Sequence, residues 1–226
     1  ETGRQALADG RIRRVFERTH PISAYITALV VGPYAAYRDE HRGMPIGFYC
    51  RQTLAKYMEP EELFTVTKQG LDFFSDFFDY PYPFTKYDQV FVPEFNAGAM
   101  ENAGAVTHSE VFVFRDPPTD NQRLDRADVM LHEMAHMWFG DLVTMKWWND
   151  LWLNESFATY MAALAVAEAT RWTTSWQEFN RGMKAWAYRE DQMVTTHPIA
   201  ATIPDTAQTQ HNFDGITYGK GASVIK

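Results

Sequence analysis

The sequence predicts an α+β fold, and three observations carry that reading. Two β-rich stretches, YDQVFVPEF from Tyr87 and GAVTHSEVFVF from Gly104, flank a polar, glycine-containing segment and look like part of a small sheet. Segments with helical spacing of apolar residues lie before and after them rather than alternating with each strand, the pattern of an α+β chain. Finally, 226 residues with 46% hydrophobic and 15% aromatic content are enough to bury a substantial core.

Taken in order, the first thirty or so residues read as strands. The run AYITALVVG from Ala24, rich in β-branched residues between Tyr25 and Val31, closes at Gly32-Pro33 and predicts a buried strand. It breaks after about eight residues, far short of the roughly 20 that a bilayer requires, so no membrane span is expected. A domain boundary is expected there, dividing residues 1–33 from residues 34–226. From Pro60, PEELFTVTKQGLDFFSDFFDY opens with proline and two acids and places Leu63, Phe64, Leu71, Phe74 and Phe78 near helical spacing. This predicts a core helix, stopped by YPYPF. Further helices are expected from about Gln122 to Trp138, from about Leu151 to Ala169, over TSWQEFNRGMKAWAYRED, and from near Thr217. A loop is expected from Met193 to Asp214.

A formal charge of −8 and a pI near 5.3 argue against nucleic acid or an anionic membrane as the main partner, because binding phosphates takes a basic footprint. The single cysteine, Cys50, rules out a disulfide framework within the chain and reads as a packed thiol. Together with the lack of a signal pattern at ETGRQALADG, it predicts a cytoplasmic location. The chain stops at GASVIK inside an apolar pattern and is expected to be part of something longer.

HEMAH, residues 132 to 136, sets two imidazoles one helical turn apart on one face, with Glu133 offset to the side. Two such nitrogens can reach one metal, and zinc at a catalytic site typically takes a third protein ligand and leaves a position for water. Glu155, 19 residues beyond His136 in LWLNESFATYM, can supply it if the second helix folds back on the first. The bland alternative is a pair of satisfied core histidines. His20, His41, His108, His197 and His211 lack such partners and read as surface or structural. Zinc lowers the pKa of a coordinated water from roughly 15.7 to about 7, and Glu133 is placed to take its proton. The pattern points to metal-assisted hydrolysis of an amide.

GAMEN at 98 to 102, HEMAH with Glu155 in LNESFA, and YGKGA at 218 to 222 occur in an order and spacing that resemble the aminopeptidase N family of gluzincin zinc metallopeptidases. VFVPEFNAGAMENAG and HEMAHMWFGDLVTMKWWNDLWLNESFATYM look especially similar to bacterial, actinobacterial-type members. The resemblance runs from about Thr19 to the last residue. It implies a thermolysin-like catalytic domain, a small mixed sheet over helices, preceded by the tail of a β domain. It further implies one zinc ion held by His132, His136 and Glu155, with Glu133 as general base and Tyr218 as a phenol donor to the oxyanion. Removing one such donor costs roughly 2.7 to 4 kcal/mol.

By the same resemblance Glu101 grips the free α-ammonium group of a peptide, which restricts cleavage to N-terminal residues. Gly98 and Ala99 leave backbone open for an extended substrate to pair as an added strand. Met100 and Asn102 belong to this substrate segment, Met100 being expected to pack. Ala97 implies a roomy pocket for the first side chain, whereas Trp147, Trp148 and Trp152 read as core. Family members carry a complete β domain and a large helical domain flanking this region. The expected activity is therefore zinc aminopeptidase action on peptides with a free N-terminus. The alternatives are a zinc-binding fragment with little catalysis and the lipid-epoxide chemistry of one branch of the family.

Overall fold

The computed structural model describes residues 2–226, which form a mixed sheet backed by helices. The first two strands, β1 (Gly3–Ala6) and β2 (Ile12–Val15), pair antiparallel with each other in a separate small sheet. The expected strand at Tyr25 to Val31 does not form. Ala24–Ile26 is a single 3-10 turn and the rest is irregular, with Leu29 and Val31 exposed. Hydrophobic content alone does not make a strand; a ladder partner is required, and this run is paired with no strand among the described residues. Ile26 is nevertheless buried, and its carbonyl accepts from Ala103 N at 3.2 Å, tying this run to the segment that carries Glu101.

The main sheet has five strands in the order β3, β4, β5, β7, β6. Strands β3 (Tyr34–His41) and β4 (Met44–Arg51) form a hairpin that the sequence reading does not identify. Charged residues on β3 and Pro45 and Gly47 on β4 mask the alternation. The signal that betrays the hairpin is the two-residue turn at Arg42 and Gly43, both at positive φ (49° and 81°), the geometry that suits tight hairpins. β4 then runs parallel to β5 (Tyr87–Val92), and the crossover between them contains α1 (Pro60–Phe77), the core helix expected from Pro60. β5 pairs parallel with β7 (Ala105–Ser109), and the two-residue strand β6 (Ala99–Met100) closes the edge antiparallel to β7.

Helix α2 (Asp120–His136) starts at a capping box: Thr119 Oγ1 accepts from Gln122 N at 3.2 Å and Gln122 Oε1 accepts from Thr119 N at 2.8 Å. Arg126, buried on its inner face, donates to Glu59 at 2.9 Å and to Glu62 at 2.8 Å and so locks α2 to the start of α1. Further along, the two helices touch at Gly70, where a Cβ would stand 2.3 Å from Leu131 and 2.8 Å from the Met134 sulfur, so no larger residue fits without movement. Helix α3 (Leu151–Ala169) is apolar on all sides, as suits an element buried between others. One core joins these layers, with Phe48, Phe74, Phe91, Met130, Met134, Trp138 and Met161 almost fully enclosed and Cys50 packed among them.

After α3 the expected third helix is α4 (Ser175–Phe179) and α5 (Ala185–Glu190), joined by a π-helical turn at Asn180–Lys184. The 193–214 stretch contains one short helix, α6 (Thr206–Thr209), and is pinned to the α2–α3 connection: Trp147 Nε1 donates to Ile203 O at 2.6 Å and Ile203 N to Asn149 Oδ1 at 2.7 Å. The chain ends in a second π turn, Ile216–Lys220, running into α7 (Gly221–Ile225). No helix among the described residues is long and apolar enough to cross a membrane.

Candidate active site

The last turn of α2 carries His132 and His136, and the first turns of α3 carry Glu155. Their inner atoms converge: the two Nε2 atoms are 3.1 Å apart, and Glu155 Oε2 lies 3.2 Å from His132 Nε2 and 3.3 Å from His136 Nε2. The fold-back inferred from spacing is therefore present. Each ring is oriented from behind. His136 Nδ1 is 3.0 Å from the Phe139 carbonyl, which can only accept, and His132 Nδ1 is 3.5 Å from Thr159 Oγ1. With Nδ1 of His136 held by the Phe139 carbonyl, Nε2 is the nitrogen that faces the cluster, where it can carry either a proton or a metal ion.

The electrostatics of the cluster call for positive charge. Burial alone would depress His136, but Glu101 and Glu155 outweigh it and push its pKa well above the ordinary imidazole value. Burial would raise Glu155, yet the charge of His136 and hydrogen bonds from both imidazoles pull it down to about 2. Glu133 behaves oppositely. Burial, helped by Glu101, Glu155 and Asp141, raises its carboxyl well above the usual range against the pull of His136, and its Oε2 has no partner among the described residues. Glu101, raised chiefly by burial, lies so that one of its oxygens, one from Glu133 and a nitrogen of His136 are within 4.8 Å of one another.

Tyr218 reaches the same place from the second π turn. Its ring stacks on His132 at 5.9 Å, and burial with the surrounding carboxylates keeps the phenol protonated far beyond neutral pH. It is thus a donor. These groups line a cavity of about 360 Å³ whose wall also includes Ala97, Ala99 and Met100. Gly98 and Asn102 are not part of that wall: Gly98 O accepts from Ser109 N at 2.8 Å, and Asn102 Nδ2 donates to Thr107 Oγ1 at 2.9 Å. They hold β6 and its neighbours in place.

The structure adds residues that sequence reasoning missed. Tyr25 lines the cavity, receives a hydrogen bond from Asn154 at 3.3 Å, and packs edge-on against Trp148 with centroids 5.2 Å apart. Trp148, expected in the core, is a cavity wall, and Trp147 is exposed; the 3-10 turn Trp148–Asp150 turns the first ring inward. Gln210 and Phe213 complete the rim. Asp141 is buried too: burial first and Glu101 second push its pKa up to about 8, and neither of its oxygens has a partner among the described residues. No local motif marks Tyr25, Gln210 or Phe213, which come from distant parts of the chain.

The peptidase family M1 domain matches residues 62–226. An aminopeptidase N of Streptomyces lividans is 58% identical over 93% of this chain and 25% of its own length. A leucyl aminopeptidase of Saccharolobus solfataricus is 35% identical over 99% of this chain and 28% of its length, and a glutamyl aminopeptidase of Bos taurus 35% over 95% and 22%. The chain thus spans about a quarter of the length of these relatives.

Proposed function

Since this chain belongs to peptidase family M1, we propose that it forms the catalytic part of a zinc aminopeptidase that removes N-terminal residues from peptides. The observation that carries the proposal is the spacing of His132 Nε2, His136 Nε2 and Glu155 Oε2, 3.1 to 3.3 Å from one another. A tetrahedral ion at about 2.0–2.1 Å from each donor sets neighbouring donors roughly 3.3 Å apart, so these residues fit zinc. Three electron-pair donors facing one another also repel unless a cation lies among them. Zinc held there would acidify a water and polarise the scissile carbonyl.

The protein's own groups divide the remaining work. Glu133, buried beside His136 and Glu101, takes the proton from the attacking water and returns it to the leaving amine. Tyr218 keeps its proton and donates it as a hydrogen bond to the carbonyl oxygen as negative charge develops there. Glu101, on the cavity wall, pairs with the substrate's free α-ammonium group, which sets the cut one residue from the N-terminus. Ala99 and Met100 offer the outer edge of β6 to an extended backbone. The full-length protein is the proposed working form, its flanking domains covering this site.

The test compares an aminoacyl reporter with its N-acetylated form. The free amine is expected to be cleaved at least about 100-fold faster in kcat/KM, and Glu101→Gln is expected to erase about 10- to 100-fold of that preference, the worth of a charge-assisted hydrogen bond. Equal cleavage of both reporters by the unaltered protein refutes the aminopeptidase reading, and zinc binding without turnover supports a binding fragment instead.

A further inference from the structure

The turn that presents Tyr218 is braced from outside the catalytic cavity. Asp214 Oδ1 accepts from Ile216 N at 3.0 Å and Thr217 N at 2.9 Å, and its main-chain carbonyl accepts from Tyr218 N at 3.0 Å. One residue thus satisfies the first three amides of the π turn, groups that have no partner within the turn itself. The other carboxylate oxygen, Oδ2, is 2.7 Å from His197 Nε2, and the His197 ring is held at its second nitrogen by the Pro198 carbonyl, also 2.7 Å away. Asn212 Nδ2 approaches the same Nε2 at 3.3 Å.

Neither His197 nor Asp214 lines the cavity that holds Tyr218. Gln210 and Phe213 face that cavity, while His197, His211, Asn212 and Asp214 line a second one of about 550 Å³. On its other flank the turn is clamped to α3, where Ser156, next to Glu155, donates to the Thr217 carbonyl. A Cβ at Gly221, the first residue of α7 after the turn, would fall 1.9 Å from Ser156 Oγ, so α3 packs tightly against the exit of the turn. Glu190 adds a third tie, accepting from Gly215 N at 2.6 Å and from Trp186 Nε1 at 2.5 Å, and the Trp186 ring lies 6.0 Å from that of Tyr218.

We propose that the His197–Asp214 pair is a positioning device for Tyr218, holding the π turn so that the phenol points at the reacting carbonyl. The inference rests on the role given to Tyr218 above. Ser156 and Glu190 fix where the turn sits, whereas Asp214 fixes its amides and hence the direction in which the residue after Thr217 leaves the backbone. His197 in turn fixes Asp214. A π turn lacks the regular i to i−4 ladder, so its geometry depends on such outside partners more than an α-helix does.

The test uses the zinc-loaded full-length protein with four variants, Tyr218→Phe, His197→Ala, His197→Gln and the double variant Tyr218→Phe/His197→Ala. His197→Ala is expected to lower kcat about tenfold with KM changed by less than about twofold, because the phenol acts as charge develops and not in substrate binding. His197→Gln, which restores a donor to Asp214, is expected to recover most of the loss. In the Tyr218→Phe background, His197→Ala is expected to have no further effect, since the device then has nothing to position. Independently of turnover, hydrogen exchange at the amides of 216–218 in metal-free protein is expected to be about tenfold faster in His197→Ala. Additive losses in the double variant, or unchanged exchange, overturn the proposal while leaving Tyr218 its role. Full activity in Tyr218→Phe overturns both.

Discussion

His136 and His108 are each 1% exposed, yet their surroundings drive them in opposite directions. His108 sits mid-strand in β7, with Nε2 3.0 Å from Gln89 Oε1 and its ring 5.5 Å from that of Phe91; Gln89 passes the bond on to Thr67 at 2.9 Å. Among the described residues no carboxylate shifts it, so burial alone pushes its pKa down to about 3 and it stays neutral. His136 experiences the same burial, but Glu101, Glu155 and Glu133 surround it and raise it. Burial therefore does not separate the two histidines. The charge of their neighbours does, and around His136 that charge favours a positive group.

The largest effect expected from breaking this contrast is at Glu133. Glu133→Gln leaves the carboxylates nearest the imidazoles in place, so zinc content is expected to stay near one per chain while kcat falls by about 10²- to 10⁴-fold. Loss of zinc in this variant would mean that base and ligand have been misassigned. Next comes the histidine pair itself. His136→Ala is expected to weaken zinc more than about 100-fold, since even outer-shell changes cost about 10- to 100-fold, and to abolish the rise in Tm that zinc gives the unaltered protein. His108→Gln is expected to leave both unchanged, and equal zinc loss in the two variants would erase the distinction drawn here.

The smallest effect concerns pH and belongs to His108. Below about pH 6.5 the unfolded chain takes up a proton that the folded His108 refuses until its pKa of about 3. The unfolded state then binds more protons, so stability falls as pH falls, by at most about 1.4 kcal/mol per unit from this group. Glutamine preserves a donor to Gln89 without the titration. Between pH 6.5 and 5 the unfolding free energy of His108→Gln, followed by urea titration, is expected to decline less steeply than that of the unaltered protein. Parallel curves would show that another group carries the acid sensitivity.

Helices α1, α2 and α3 were legible because each has a strong local signature: proline and acids opening α1, the HEMAH face on α2, and the apolar run of α3. The β3–β4 hairpin was hidden because β3 carries three consecutive exposed charges, Arg38, Asp39 and Glu40, on alternating faces, so that hydrophobic alternation, the usual strand signal, is faint. The opposite error occurred at Tyr25 to Val31, where β-branched composition suggested a strand without the ladder to complete it. Within the site, the spacing from His136 to Glu155 permits three donors to meet, and the fold-back of α3 on α2 brings them together; Glu101 and Tyr218, which only the resemblance points to, line the same cavity.

By itself the sequence determined the identity and helical phase of the donor groups, because four residues make nearly one turn and the phase of a helix is a local property. Only the tertiary structure decided what surrounds them. It brought Tyr25 from the start of the chain and Phe213 from near its end to the same wall, turned Trp148 into the cavity rather than the core, and braced Tyr218 through Asp214 and His197. The physical reason is that electrostatic fields and packing depend on distance in space, and nothing in local periodicity records which distant side chains will share a few ångströms.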